Sequence, residues 1–99
     1  MASAKVVALT SDLMDRSKIS GAIPGVSFAL AHDADVVIVD LGRGVEQVAQ
    51  LRASHPNARI VAYGPHVENY DDVPADVVLP RSQFFRDPAA IVFGPFPAS

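Results

Sequence analysis

Four short apolar runs punctuate the chain, at residues 6–10, 36–39, 59–63 and 77–79, each rich in β-branched side chains and closed by polar or turn residues. They do not alternate apolar with polar positions, as half-exposed antiparallel strands do. Their nearly continuous apolar character is that of strands covered on both faces of a parallel sheet. A fifth, weaker run spans residues 26–30.

Helical spacing appears between the runs. Within residues 44–54, Val45, Val48, Ala49 and Leu51 share one side, and Glu46, Gln47, Gln50 and Arg52 the other. After the first run, Ser11 or Asp12 caps a predicted helix whose later apolar face is Ile19, Ala22 and Ile23, and Pro24-Gly25 ends it. Strand, helix, weak strand, strand, helix, strand, connection, strand is the alternation of a doubly wound α/β sheet. The predicted core is Val7, Leu9, Val37, Val39, Val61, Val77 and Leu79 from the sheet, with Val48 and Leu51 from the helix.

Two connections depart from the full pattern. Residues 31–34 are too few for a parallel crossover, which needs roughly ten or more. At about 3.4 Å each they do not run back along a strand and step across a neighbour. The 26–30 run is therefore expected antiparallel to its successor, outside the sheet, or swapped onto another chain. Within residues 64–76, Glu68, Asp71, Asp72 and Asp76 have no local cation, which predicts a solvated loop. Beyond Pro80, Asp87-Pro88, Gly94-Pro95 and Pro97 forbid a long last helix. Residues 1–88 are expected to form the domain and residues 89–99 an apolar, proline-rich tail.

Composition narrows the class. Ninety-nine residues with 49% apolar and 19% charged positions make one folded domain with room for one active surface. A net charge of −3 without a lysine or arginine cluster argues against nucleic acid as a direct partner. The chain contains no cysteine, which removes disulfides, thiolate nucleophiles and cysteine zinc sites. No apolar run has the length of a membrane span or of a signal-peptide core, so a cytoplasmic protein is expected.

Candidate chemistry is sparse. His32, His55 and His66 lie in separate connections, without the spacing of a metal site or a catalytic triad. Gly42-Arg43-Gly44 fails the spacing of known phosphate-binding loops and fits a tight strand-to-helix turn. Ser11 and Ser82 have no base nearby in sequence.

The segments KVVALTSDLMDRSKI, ADVVIVDLGRG, ARIVAYG and ADVVLPRSQFF, in that order, resemble a truncated and degenerate receiver domain of bacterial two-component response regulators, of the chemotaxis-receiver type. The resemblance spans about residues 5–85 and implies a small flavodoxin-like parallel sheet, in strand order 2-1-3-4-5, with reduced helices. It puts Asp40 at the phosphoacceptor position and Asp12 at the second of the acidic pair that holds a metal, with Ser11 in place of the first. The hydroxyl switch position falls on Gly64, which has none, and the lysine position on Arg81, with Pro80 before it rather than after.

The expected function is accordingly a non-enzymatic regulatory or protein-interaction module in bacterial signalling, without a cofactor. The alternative is a working receiver phosphorylated on Asp40 with Mg2+ held by Asp12 and Asp40. In the inert case Asp40 caps the following turn and pairs with Arg81 or Arg43. A sheet short of covering helices needs a partner, so a homodimer or another protein is expected on Phe84, Phe85, Phe93 and Phe96.

Overall fold

The computed structural model describes residues 4–43, 46–64 and 73–94, with the Arg43 side chain left aside. Val45, His66, Glu68, Asp71, Asp72 and Phe96 lie outside the described residues. The four strong apolar runs form strands β1 (Val6–Leu9), β2 (Val36–Asp40), β3 (Arg59–Gly64) and β4 (Val77–Pro80). These pair in parallel in the order β1-β2-β3-β4, with Val7 opposite Val37, Val37 opposite Ile60 and Val61 opposite Val77.

The helices cover both faces. α1 (Leu13–Ala22), α3 (Arg81–Phe84) and α4 (Pro88–Phe93) carry Ile19, Phe84 and Val92 onto one face, against Ala8, Ile38, Val61 and Tyr63. α2 (Glu46–Ser54) lays Val48 and Leu51 on the other, against Val7, Val37, Val39 and Ile60. Of the predicted core, Leu9 and Leu79 are only half-buried; the other seven positions are buried.

The α1 cap is Asp12, whose Oδ1 accepts from the backbone N–H of Met14 at 2.9 Å and of Asp15 at 3.1 Å. The helix stops before Gly25, whose φ of 86° is costly for any residue with a Cβ. Between Ser54 and Arg59 the chain turns over His55, which is buried: its Nδ1 meets the Ser54 hydroxyl at 2.8 Å and its Nε2 the Ala31 carbonyl at 2.9 Å.

The weak fifth run forms no strand of the four-stranded sheet, one of the three arrangements expected of it, but it touches the sheet through a single bridge. Ser27 forms a parallel bridge to Val7 on the edge of β1 away from β2, through Ser27 N–H to Val6 O at 3.0 Å and Ala8 N–H to Ser27 O at 2.8 Å. The distance limit assumed a full strand to retrace. With one residue paired, the chain needs only to drop back to the level of Lys5, where Asp35 N–H and Val36 N–H both donate to Lys5 O. On the way Ala31 and Ala34 pack on the α2 face beside Val7, so this short link fills space that a crossover helix would cover. With this rudiment included, the spatial order is that of a flavodoxin-like sheet.

Two other expectations change. Asp76 is not a solvated loop acid: its Oδ2 pairs with Arg52 Nη2 at 2.6 Å and accepts the Ile60 N–H at 2.8 Å. The boundary drawn between residues 88 and 89 falls inside α4. Asp87 caps that helix by accepting the Ala90 N–H at 3.2 Å, proline opens it, and Val92 is fully buried. At its end, a Cβ on Gly94 would stand 2.3 Å from Ala90 O, so the chain leaves α4 at a position only glycine fits.

Candidate functional site at the carboxyl ends of the strands

Parallel strands all end on the same side of the sheet, and the residues that follow converge there. Thr10 follows β1, Asp40 ends β2, Tyr63 and Gly64 end β3, and Arg81 follows β4, while Asp12 and Asp15 open α1. Asp12, Asp40, Gly64 and Arg81, the phosphoacceptor, metal and switch positions expected from sequence, thus gather at one end. Their contacts differ from those expected.

Asp40 is half-buried. Its Oδ1 accepts the Gly42 N–H at 2.9 Å, capping the single 3-10 turn Leu41–Arg43, and its Oδ2 accepts the Thr10 hydroxyl at 3.4 Å. Gly42-Arg43-Gly44 therefore starts with the expected tight turn. The Thr10 hydroxyl in turn accepts the Asp12 N–H at 3.3 Å, and Arg16 Nε donates to Thr10 O at 2.8 Å.

Arg81 does not pair with Asp40. Its Nη2 donates to Asp15 Oδ1, and Asp12 Oδ2 stands farther off at 3.9 Å. Asp15 is fully buried, and its second oxygen accepts the Tyr63 hydroxyl at 2.9 Å. Both carboxylate oxygens are thus satisfied without water, the condition under which a buried carboxylate is tolerable. Burial would lower the Arg81 pKa, but the hydrogen bond and charge of Asp15, with smaller contributions from Tyr63 and Asp12, carry it above the ordinary value. Burial also drives the Tyr63 pKa well above the ordinary phenol range. The Thr10 hydroxyl opposes that rise, while Asp15 and the charge of Asp40 add to it.

Below this polar layer the Tyr63 ring stacks on Phe84 at 4.8 Å, and Phe85 meets both rings edge-on at 5.2 and 5.0 Å. Phe84, expected as an interface candidate, is fully buried within this chain, where it fills one face of the sheet. Phe85 is half-buried, with Lys18 and Arg81 each 5.3 Å from its ring centre. Phe93 is 55% exposed, at the far end of the molecule beside a cleft of about 330 Å³ lined by Ala4, Val6 and Val26.

Asp12 Oδ1 is committed to the α1 cap and its Oδ2 faces Arg81, and both Asp40 oxygens accept protein hydrogen bonds. Among the described residues no three of His, Cys, Asp or Glu come together as metal ligands. Gly64 is buried and offers no hydroxyl, as expected.

Asp15, Tyr63 and Thr10 were not singled out from sequence. Asp15 had a signal: it lies four residues before Ile19, on the stripe that continues to Ala22 and Ile23, and a carboxylate on an apolar stripe needs a buried partner. Tyr63 is the one hydroxyl-bearing side chain within the apolar run of β3.

No family model matches the chain, and no curated protein matches it. Among the described residues no helix is long and apolar enough to cross a membrane. Among solved structures, a response regulator from Thermotoga maritima superposes with a TM-score of 0.64 at 14% identity, over 81% of this chain and 86% of that one. With four parallel strands, a rudimentary fifth on the outer edge of β1 and helices on both faces, the chain has a flavodoxin-like, receiver-like fold.

Proposed function

We propose that this chain is a degenerate receiver-like module of bacterial two-component signalling that acts in the cytoplasm through protein contacts, without phosphoryl transfer. The observation that carries this reading is the pairing of Arg81 with Asp15. Transfer of a phosphoryl group to a carboxylate requires a free nucleophile, a cation to neutralise the incoming charge, and donors aimed at its oxygens. Here Arg81, the cation next to the site, is paired with Asp15, one Asp12 oxygen accepts the hydrogen bonds of the α1 cap, and the hydroxyl position is glycine. The partner is a second copy or another protein, meeting the surface through the exposed Phe93 and the half-buried Phe85.

The test is incubation with acetyl phosphate and Mg2+ followed by intact-mass spectrometry. An unchanged mass is expected. An adduct of one phosphoryl group that disappears in Asp40→Asn would overturn the reading in favour of a phosphoacceptor receiver.

A further inference from the structure

Asp15 is carried by α1 but belongs as much to two other elements. Tyr63 at the tip of β3 donates to one of its oxygens and Arg81, the first residue of α3, to the other. Tyr63 stacks on Phe84, and Arg81 lies over the Tyr63 and Phe85 rings at 5.8 and 5.3 Å. The β4-to-α3 junction is therefore held from its polar side by one carboxylate and from its apolar side by three aromatic rings.

Among the described residues three aspartates, Asp12, Asp15 and Asp40, lie near this end of the sheet, and they are unequal as anchors. Asp12 has a side chain 49% exposed, stands 3.9 Å from Arg81 and caps α1. Asp40 is turned toward Gly42 and Thr10. Asp15 is dry, and a charged hydrogen bond is stronger where water does not screen it. We propose that Asp15 is the positioning residue of the junction: its charge, rather than any charge presented at Asp40, fixes where Arg81, Phe84 and Phe85 sit. Resting on the function proposed above, this gives the module one standing arrangement of its α1–α3 surface, with Lys18 and Arg81 each 5.3 Å from the Phe85 ring, without an input at Asp40.

The experiment compares backbone and arginine side-chain NMR spectra of the 15N-labelled full chain as wild type, Asp15→Asn and Asp40→Asn. In wild type the Arg81 guanidinium protons should be resolved and slow to exchange. Asp15→Asn should abolish that signal and shift the amides of Arg81, Phe84 and Phe85. Asp40→Asn should keep it, with shifts confined to Thr10 and residues 40–42. Junction amides unmoved in Asp15→Asn, or moved as far by Asp40→Asn, would overturn the proposal. If Asp15→Asn does not fold, fast exchange of the Arg81 guanidinium protons in wild type contradicts it just as directly. Failure of the functional reading is a separate observation: should acetyl phosphate label Asp40 while the junction amides stay in place, the positioning role stands and only the non-enzymatic reading falls. Movement of those amides on labelling would end both.

Discussion

Both ends of the sheet hold an arginine against an aspartate, under different conditions. At the amino end Arg52 reaches from α2 to Asp76 at 2.6 Å and donates to the carbonyls of Pro56, Ala58 and Pro74. Both partners of that pair keep about a third of their surface in water, at 28% and 31% exposure. The cluster is a clasp. It binds the chain entering β4 to α2 and to the start of β3, and water can replace most of what it supplies. At the carboxyl end Arg81 meets an aspartate with no exposure at all. Two ion pairs of the same residue types thus play different parts, because the cost of removing one partner is set by how dry the other is left.

The largest expected effect follows from that difference. Arg81→Met leaves the Asp15 carboxylate buried with only the Tyr63 hydroxyl, and should cost about 3 kcal/mol, near the lower end for a broken buried pair because Arg81 itself is partly exposed. Arg52→Met should cost about 1 kcal/mol, since the abandoned carbonyls and Asp76 regain water. Urea midpoints at constant slope measure both, and equal losses would erase the contrast between the two ends.

A smaller effect separates the ends by pH. The Tyr63 pKa is raised in the folded protein above the unfolded value of about 10. The contribution of the neutral phenol is therefore fully present below about pH 10 and is lost as pH rises through the folded-state value. Stability should fall in that alkaline range, and Tyr63→Phe, though less stable at neutral pH, should fall less steeply. An identical alkaline slope in the two proteins would mean that Tyr63 is not held against Asp15.

The contrast between the ends also marks where the sequence was legible. Strands of four to six residues with β-branched, uninterrupted apolar character identify themselves, and β1 to β4 lie where the runs place them. The Asp12 cap and the Val48 and Leu51 positions of α2 were equally local, whereas Ala49, expected on the same side, is exposed. What was not legible depends on which distant groups meet. The apolar stripe of α1 marks Asp15 as an acid in need of a partner, but not which groups supply it: Tyr63 and Arg81 lie 48 and 66 positions away. The inert reading paired Asp40 with Arg81 or Arg43, and Arg81 instead meets Asp15 of α1. Phe84 and Phe93 are indistinguishable as residues in a proline-broken segment, yet one is fully buried and the other 55% exposed, a difference settled by how α3 and α4 pack. The parallel bridge of Ser27 was not legible because a single bridge needs none of the chain length that a strand does.

The most direct test of the account is a pair of double-mutant cycles sharing Arg81. Asp15→Asn with Arg81→Met removes a contact, and the two changes should be strongly non-additive, with a coupling of about 1–3 kcal/mol. Asp40→Asn with Arg81→Met should add to within about 0.5 kcal/mol, since no contact joins those residues. A coupling of Arg81 to Asp40 as large as its coupling to Asp15 would contradict the account, because it would place the cation at the phosphoacceptor position after all.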